Sequence, residues 1–226
     1  MQRFGERAVT FGVEGDAFVT AKSTGFAKDG RLELRVTAEA KSFRLRTYII
    51  ADYAPSLISA AVAVGLNFKL RRAEIKAAIE HFHPQSKRLE VVRGANGVTV
   101  LNDAYNANPD SMGSALRTLK SFPAEGRHFA VLGDMFELGE ATAKEHREIG
   151  RMVSDLAFSH VFFVGTAMKA AAQSYQRVSK RPERATHHAT KAEMIELLHE
   201  RLQPGDVVLV KGSRGMRMEE LIEQLR

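Results

Sequence analysis

The 226 residues contain no cysteine. Disulfide staples and cysteine-based metal sites are therefore excluded, and a reducing, cytoplasmic setting fits. No apolar run approaches the ~20 residues that a membrane span needs. The opening stretch, MQRFGERAVTFG, has no apolar signal core. The expectation is a cytoplasmic chain with no membrane contact. Lysine and arginine are scattered rather than gathered in runs, and they do not interleave with aromatics. That pattern argues against a nucleic-acid surface. The eight histidines form no metal set: His81/His83 and His187/His188 are the close pairs, and neither has i, i+4 spacing. The phosphate-loop string G-x-x-x-x-G-K-[ST] is also missing. Its nearest approach, GFAKDGRL (25 to 32), has Arg for the lysine and Leu for the hydroxyl residue. It lies between β-like runs, so it reads as a hairpin. No G-x-G-x-x-G follows a strand.

What the chain does have is 44% hydrophobic residues and a net charge of 33 − 27 = +6. The first suits one large domain or two small ones. The second favours anionic partners such as nucleotides or phosphorylated substrates. Residues 1 to ~50 read as β structure: RAVTFG, DAFVTAKSTGF, RLELRVTAEA and SFRLRTYII, split at 28 to 30 (KDG) and 40 to 42 (AKS). Gly30 is free to take positive φ in the first of these turns. The run from Pro55 to Leu66 is apolar nearly all round, which predicts a buried helix. A second helix, Arg72 to Phe82, repeats Ile75, Ala78, Ile79 and Phe82. Pro84 then breaks the pattern. Two domains are expected, 1–84 and 85–226.

Beyond this boundary strand and helix alternate. The expected strands are RLEVVR, GVTVLN, HFAVLGD, HVFFVG and DVVLVKG. The helices between them carry apolar stripes, such as Met112, Ala115, Leu116 and Leu119. They also carry start signals: Asn108 before Pro109, and the pairs Thr142/Glu145 and Thr190/Glu193 as capping boxes. Short apolar strands between amphipathic helices predict an α/β, Rossmann-like domain with a mostly parallel sheet.

Ligand groups in such a sheet sit beyond the C-terminal strand ends. Three polar clusters fall there: NDAYNANPDSM (102 to 112), GDMFELGE (133 to 140) and KGSRGM (211 to 216). Each residue has a plain and a functional reading. Asn108 caps a helix or touches ligand. Asp103 closes a turn or, with Tyr105, accepts from a ribose hydroxyl beside a base. Asp134 and Glu137 form a solvated turn or line the site. His146 extends an apolar stripe and so reads as a structural histidine. Lys211 and Arg214 bracket a helix N-terminus, as a solvated basic turn or as a site suited to a carboxylate or phosphate.

Taken together, the three clusters resemble the Mur ligase family, in the branch that joins D-alanyl-D-alanine to UDP-N-acetylmuramoyl-tripeptide in peptidoglycan synthesis. YNANP and KGSRGM are the specific strings. The resemblance covers the whole chain. It implies that residues 85–226 are the family's C-terminal domain and that 1–84 are the last part of its central ATPase domain. It implies an ATP-dependent amide ligase: ATP phosphorylates a carboxylate, and the amine of D-alanyl-D-alanine attacks the acyl phosphate, with Mg2+ neutralising phosphate charge. It assigns Arg88, Asp103, Tyr105, Asn106 and Asn108 to the nucleotide. It sets Asp134, Ser213 and Arg214 near the amino substrate, and gives His146 and Lys211 catalytic roles.

The departures from the family pattern lie in known places. The resemblance implies that the phosphate loop, the UDP-binding domain and the magnesium ligands would lie upstream of residue 1. Lys87 replaces a Gly, Asn102 and Ala104 replace Asp and Ser, and ADYAPSLISAA (51 to 61) lacks the usual H-x-x-x-N. The chain alone is therefore expected to be inactive and to hold ATP and Mg2+ only loosely. A separate chain carrying the other domains is an expected partner. A non-catalytic peptide- or nucleotide-binding module is the alternative. The geometric expectation common to both is that the three clusters converge on one rim of the sheet.

Overall fold

A computed structural model describes residues 8–226. The first residue of the expected RAVTFG strand, Arg7, lies outside the described residues. The chain divides into two units between Pro84 and Gln85.

In the first unit, alternating residues form β1 (Phe11–Gly12), β2 (Val19–Phe26), β3 (Leu32–Ala38) and β4 (Lys41–Thr47), in the order β1-β2-β3-β4. β2, β3 and β4 are antiparallel neighbours, whereas β1 runs parallel to β2. The first hairpin turns where Gly30 takes φ +84. The second turns one residue earlier than expected, at Glu39 and Ala40, both with positive φ. Two helices follow, α1 (Ala54–Asn67) and α2 (Arg72–His81). Helix α1 buries Ile58, Val62 and Ala63, but Leu57 and Val64 are exposed, as are the flanking Tyr53 and Phe68. The expectation of all-round burial is corrected here, because the sheet covers only one side of the helix.

The second unit is built on β5 (Glu90–Arg93), β6 (Thr99–Asp103), β7 (His128–Gly133), β8 (His160–Val164), β9 (Ala185–His188) and β10 (Val207–Lys211). The sheet order is β5-β6-β10-β7-β8-β9. Every pairing is parallel except β5 with β6. The helices are α3 (Pro109–Ser121), α4 (Thr142–Leu156), α5 (Met168–Val178), α6 (Lys191–Arg201) and α7 (Glu219–Gln224). Strand periodicity sorts the core. Val100, Phe129, Val131, Phe162, Val208 and Val210 pack on one face with Met194, Leu198, Leu221 and Ile222 from α6 and α7. Leu101, Ala130, Leu132, Phe163 and Leu209 are buried as the opposite set. On that side Phe163 meets Tyr175 of α5, and α3 packs against β7 and β10.

The topology creates a switch point. Strand β10 is inserted between β6 and β7, so the β6–α3–β7 crossover passes over it. The chain leaves β6 and β7 towards one face and leaves β10 towards the other. The loops beyond these three strands therefore meet around a shared opening.

Local chemistry sets most helix starts. Asn108 accepts from the Ser111 N–H at 2.8 Å, and Ser111 Oγ accepts in return from the Asn108 N–H. Thr190 caps α6 by accepting from Glu193 N–H, but Glu193 reaches back to Ala189 rather than to Thr190. The Thr142/Glu145 box does not form. A short helical turn over Gly139–Ala141 precedes α4, and Thr142 Oγ1 donates to the Gly139 carbonyl instead.

At the other end of the sheet His160 is 1% exposed. Its Nδ1 accepts from Arg201, and Nε2 bonds to Thr186 Oγ1. Burial, with the Arg201 charge and His188 adding to it, pushes the imidazole down to about 4. Below pH ~6.5 the unfolded chain takes up a proton that the folded chain refuses until about pH 4. Stability contributed by this group is therefore complete above pH ~6.5 and is lost as pH falls towards 4, on the order of 3 kcal/mol. Urea denaturation at pH 7 and pH 4.5 should show a smaller drop for His160→Gln than for the parent. An identical drop would contradict the assignment.

Candidate functional site

Lys211 ends β10 and Asp103 ends β6, and the parallel register sets them side by side. Both continue the side-chain set of Leu101 and Leu209, so both point to the α3 side. Lys211 is 2% exposed. Its Nζ donates to Asp103 Oδ2 at 2.6 Å and to the Asn106 carbonyl at 2.9 Å. The other carboxylate oxygen accepts from Leu89 N–H at 3.0 Å. Burial pulls the Lys211 ammonium below its ordinary range, and the Asp103 charge opposes that pull.

The strand entering this corner comes from an unusual turn. Lys87 and Leu89 have φ +65 and +49, in the left-handed region. A glycine at position 87 would take this conformation without strain. Lys87 is held in it by its surroundings. Its N–H donates to Glu90, its carbonyl accepts from Tyr105 N–H at 3.1 Å, and its Nζ pairs with Glu219. The turn presents Arg88, whose guanidinium lies 4.3 Å from the Tyr105 ring centroid. Arg214, beyond β10, approaches the same ring at 5.6 Å. Cation–π attraction of this kind contributes ~0.5–1 kcal/mol at an exposed site. Both arginines are exposed, and neither has a carboxylate partner among the described residues.

Ser213 joins the third loop. Its N–H donates to the Asp134 carbonyl at 2.9 Å, its Oγ donates to the Ala107 carbonyl at 3.3 Å, and Oγ accepts from Phe136 N–H at 2.8 Å. One buried hydroxyl thus ties the ends of β6, β7 and β10. The approach is close enough to require glycine. A Cβ at Gly212 would lie 2.8 Å from Met218 Cγ and 3.1 Å from Gly133 Cα.

Asp134 is buried, and Oδ1 accepts from Met168 N–H at 2.8 Å at the start of α5. Its carboxylate fills the space beside Gly165, where a Cβ would come within 2.6 Å. His146 is fully buried. Nδ1 donates to the Thr142 carbonyl at 2.7 Å, so Nε2 accepts from Met135 N–H at 3.1 Å. Both ring nitrogens are engaged, and the ring holds the β7 loop onto α4. Asn108 caps α3, while the Asn106 side chain is exposed.

Asp103, Tyr105, Arg88, Lys211, Ser213 and Arg214 therefore share one rim, and Asp134 is linked to it through Ser213. Three further contributors escape sequence reasoning. The Lys87 carbonyl and the Leu89 N–H act through the backbone, which leaves no residue-type signal. Phe136 is 44% exposed, and its ring lies against Gly215. An aromatic side chain placed between two glycines could have drawn attention to it.

Against known proteins, the model of the Mur ligase glutamate ligase domain matches residues 87–214, more than half of the chain. The chain belongs to the Mur ligase family. It is 31% identical over 166 residues to the UDP-N-acetylmuramoyl-tripeptide--D-alanyl-D-alanine ligase of Bacillus subtilis, covering 74% of this chain and 36% of that protein. It is 34% identical over 199 residues to the ligase of the same name from Mycobacterium tuberculosis, covering 80% and 39%. A crystal structure of MurF from Acinetobacter baumannii superposes with TM-score 0.81 at 25% identity, over 96% of this chain and 46% of that one. MurF ligase from Thermotoga maritima, solved in complex with ADP, gives TM-score 0.78 at 24% identity over 95% and 47%, which shows the fold. The chain thus spans less than half the length of these relatives.

Breaking the Lys211–Asp103 pair from one side strands a charge in a half-closed site. Lys211→Met is expected to cost about 3 kcal/mol in urea denaturation. Lys211→Met/Asp103→Asn should recover part of that loss, because the stranded carboxylate is gone. A loss under ~0.5 kcal/mol for the single variant would contradict the pairing.

Proposed function

We propose that this chain is the C-terminal portion of an ATP-dependent ligase that adds D-alanyl-D-alanine to UDP-N-acetylmuramoyl-tripeptide. The observation that carries the proposal is the meeting of Arg88, Tyr105 and Arg214 beside the Lys211–Asp103 pair. Two guanidinium groups flanking an aromatic face suit a nucleotide, whose base is planar and whose phosphates are anionic. In this reading Arg88 and Tyr105 hold the nucleotide, with Asn106 at the edge of the same loop. Asp103 is the acceptor within reach of a ribose hydroxyl, and Lys211 keeps its carboxylate in place. Arg214, exposed and without a carboxylate partner, takes the carboxylate of the dipeptide or the acyl phosphate. Asp134, His146, Ser213 and Asn108 position the loops through their own hydrogen bonds, so His146 is a positioning residue rather than a proton carrier.

The donor set does not suit a magnesium ion. Asp103 already accepts from Lys211 and Leu89, and Asp134 from Met168. Among the described residues no group of three or more His, Asp or Glu could hold a metal. Phosphate transfer in this reading needs residues from the part of the relatives' length that this chain does not span. A non-catalytic module holding a nucleotide or peptide is the second reading. It is favoured by how many rim side chains are committed to the fold.

Mixing this chain with a separately produced portion covering the rest of a relative should restore phosphate release from ATP that depends on D-alanyl-D-alanine. A stable mixed complex with no turnover would favour the binding module. In the active mixture, Arg214→Ala is expected to raise KM for the dipeptide at least ~10-fold, about 1.4 kcal/mol, with little change for ATP. Equal losses for both substrates would reject the role given to Arg214.

A further inference from the structure

The open face of the β2–β3–β4 sheet carries charge in an arrangement that the scattered sequence hides. Periodicity turns Ala21, Leu34, Val36 and Leu45 inward, and leaves Lys22, Arg35 and Arg44 on the outer face. The antiparallel register aligns these three. Lys22 lies opposite Arg35, and Arg35 lies opposite Arg44. Like charges directly opposite one another destabilise a sheet.

The neighbouring arginines avoid this problem. Arg31 pairs with Asp29, Arg46 with Glu33, Arg71 with Glu74 and Arg72 with Glu39. Lys22, Arg35 and Arg44 have no hydrogen-bond or ion-pair partner among the described residues. Arg44 also borders a cavity of about 390 Å³. The other cations of that lining, Arg31, Arg46 and Lys76, are each neutralised by a carboxylate, the last by Glu80. The row is flanked on one side by the hydroxyls of Thr37 and Ser42, 2.8 Å apart, and on the other by the Glu33–Arg46 pair.

From this geometry we infer that the outer face binds a soluble phosphate-bearing anion of the oligophosphate class. Two adjacent guanidinium forks match phosphate oxygens, which lysine alone would meet only as a point charge. The row spans two strand spacings, about 10 Å at the backbone. Its flanks are neutral, which fits a compact anion with several charges rather than a broad charged surface. The cavity beside Arg44 has room for the remainder of such a molecule. A bound anion removes the cross-strand repulsion that the protein leaves unanswered. The inference does not rest on the ligase reading, whose residues all lie beyond Pro84.

The test uses inorganic tripolyphosphate as the probe, by calorimetric titration at low salt. Arg88→Ala/Arg214→Ala serves as the parent, which silences the rim of the other unit. Adding Arg35→Ser/Arg44→Ser is expected to weaken binding at least ten-fold. In thermal melts tripolyphosphate should raise the parent's Tm and leave that of the Arg35→Ser/Arg44→Ser variant unchanged. Without the anion that variant should melt no lower than its parent, because the like-charge row is gone. Arg35→Lys/Arg44→Lys, which keeps the charge but loses the forks, should bind with intermediate strength. Equal affinity in parent and Ser variant would overturn the inference. So would binding to phosphatidylglycerol vesicles without binding to soluble tripolyphosphate.

Discussion

Lys211 keeps an ammonium group almost out of solvent because Asp103 stands opposite it on the adjacent parallel strand. Desolvation alone would drive that ammonium towards neutrality. The pair therefore ties the ends of β6 and β10 to one register, and a slip of either strand by one residue would turn its charge into the opposite apolar layer and separate the pair. From that fixed point the rest of the rim follows. The second Asp103 oxygen accepts from Leu89 and holds the turn that presents Arg88. The Asn106 carbonyl accepts a second hydrogen bond from Lys211, which shapes the loop that carries Tyr105. Ser213, two residues beyond the lysine, joins the β7 loop to the same corner. Glycine at 133 and 212 lets these backbones approach closely enough for the bonds to form.

This division of labour separates side chains that build from side chains that are left available. Asp134, His146, Ser213 and Asn108 spend their hydrogen-bonding capacity on backbone groups. Arg88, Arg214 and Asn106 do not. These four side chains are bonded into the fold, and in the proposed function the exposed Arg88 and Arg214 beside Tyr105 are the groups that meet the ligand. On the proposed reading, such a rim suits an anionic, planar molecule, while the Asp103 carboxylate is already engaged by Lys211 and Leu89.

Much of this is legible in the sequence. Strands β6, β7, β8 and β10 are apolar runs because parallel strands are buried on both faces, and the three polar clusters fall at their ends for the reason that open sheets hold ligands there. Strand β9 escaped notice because Ala185–His188 forms an edge of the sheet. Its half-exposed ATHH needs no apolar run. Asn108 could be read as a cap because its bond is local, four residues at most. Thr142 misled because the short turn before α4 moves the helix start beyond the reach of a simple pattern. The contacts of Arg88 and Arg214 with Tyr105 were invisible, since they depend on tertiary placement of three separate loops. The same is true of Lys22, Arg35 and Arg44, which are scattered along the chain and aligned only by strand register.

The central claim is that one hydrogen-bonded corner holds three loops as a single unit. Native-state amide hydrogen exchange tests it most directly, in the parent and in Ser213→Ala. The account predicts slow exchange at Leu89, Tyr105, Met135, Phe136 and Met168, with all five accelerating together once the Ser213 hydroxyl is removed. Acceleration at Phe136 alone, with the other four unchanged, would mean that the loops are held independently and would contradict it.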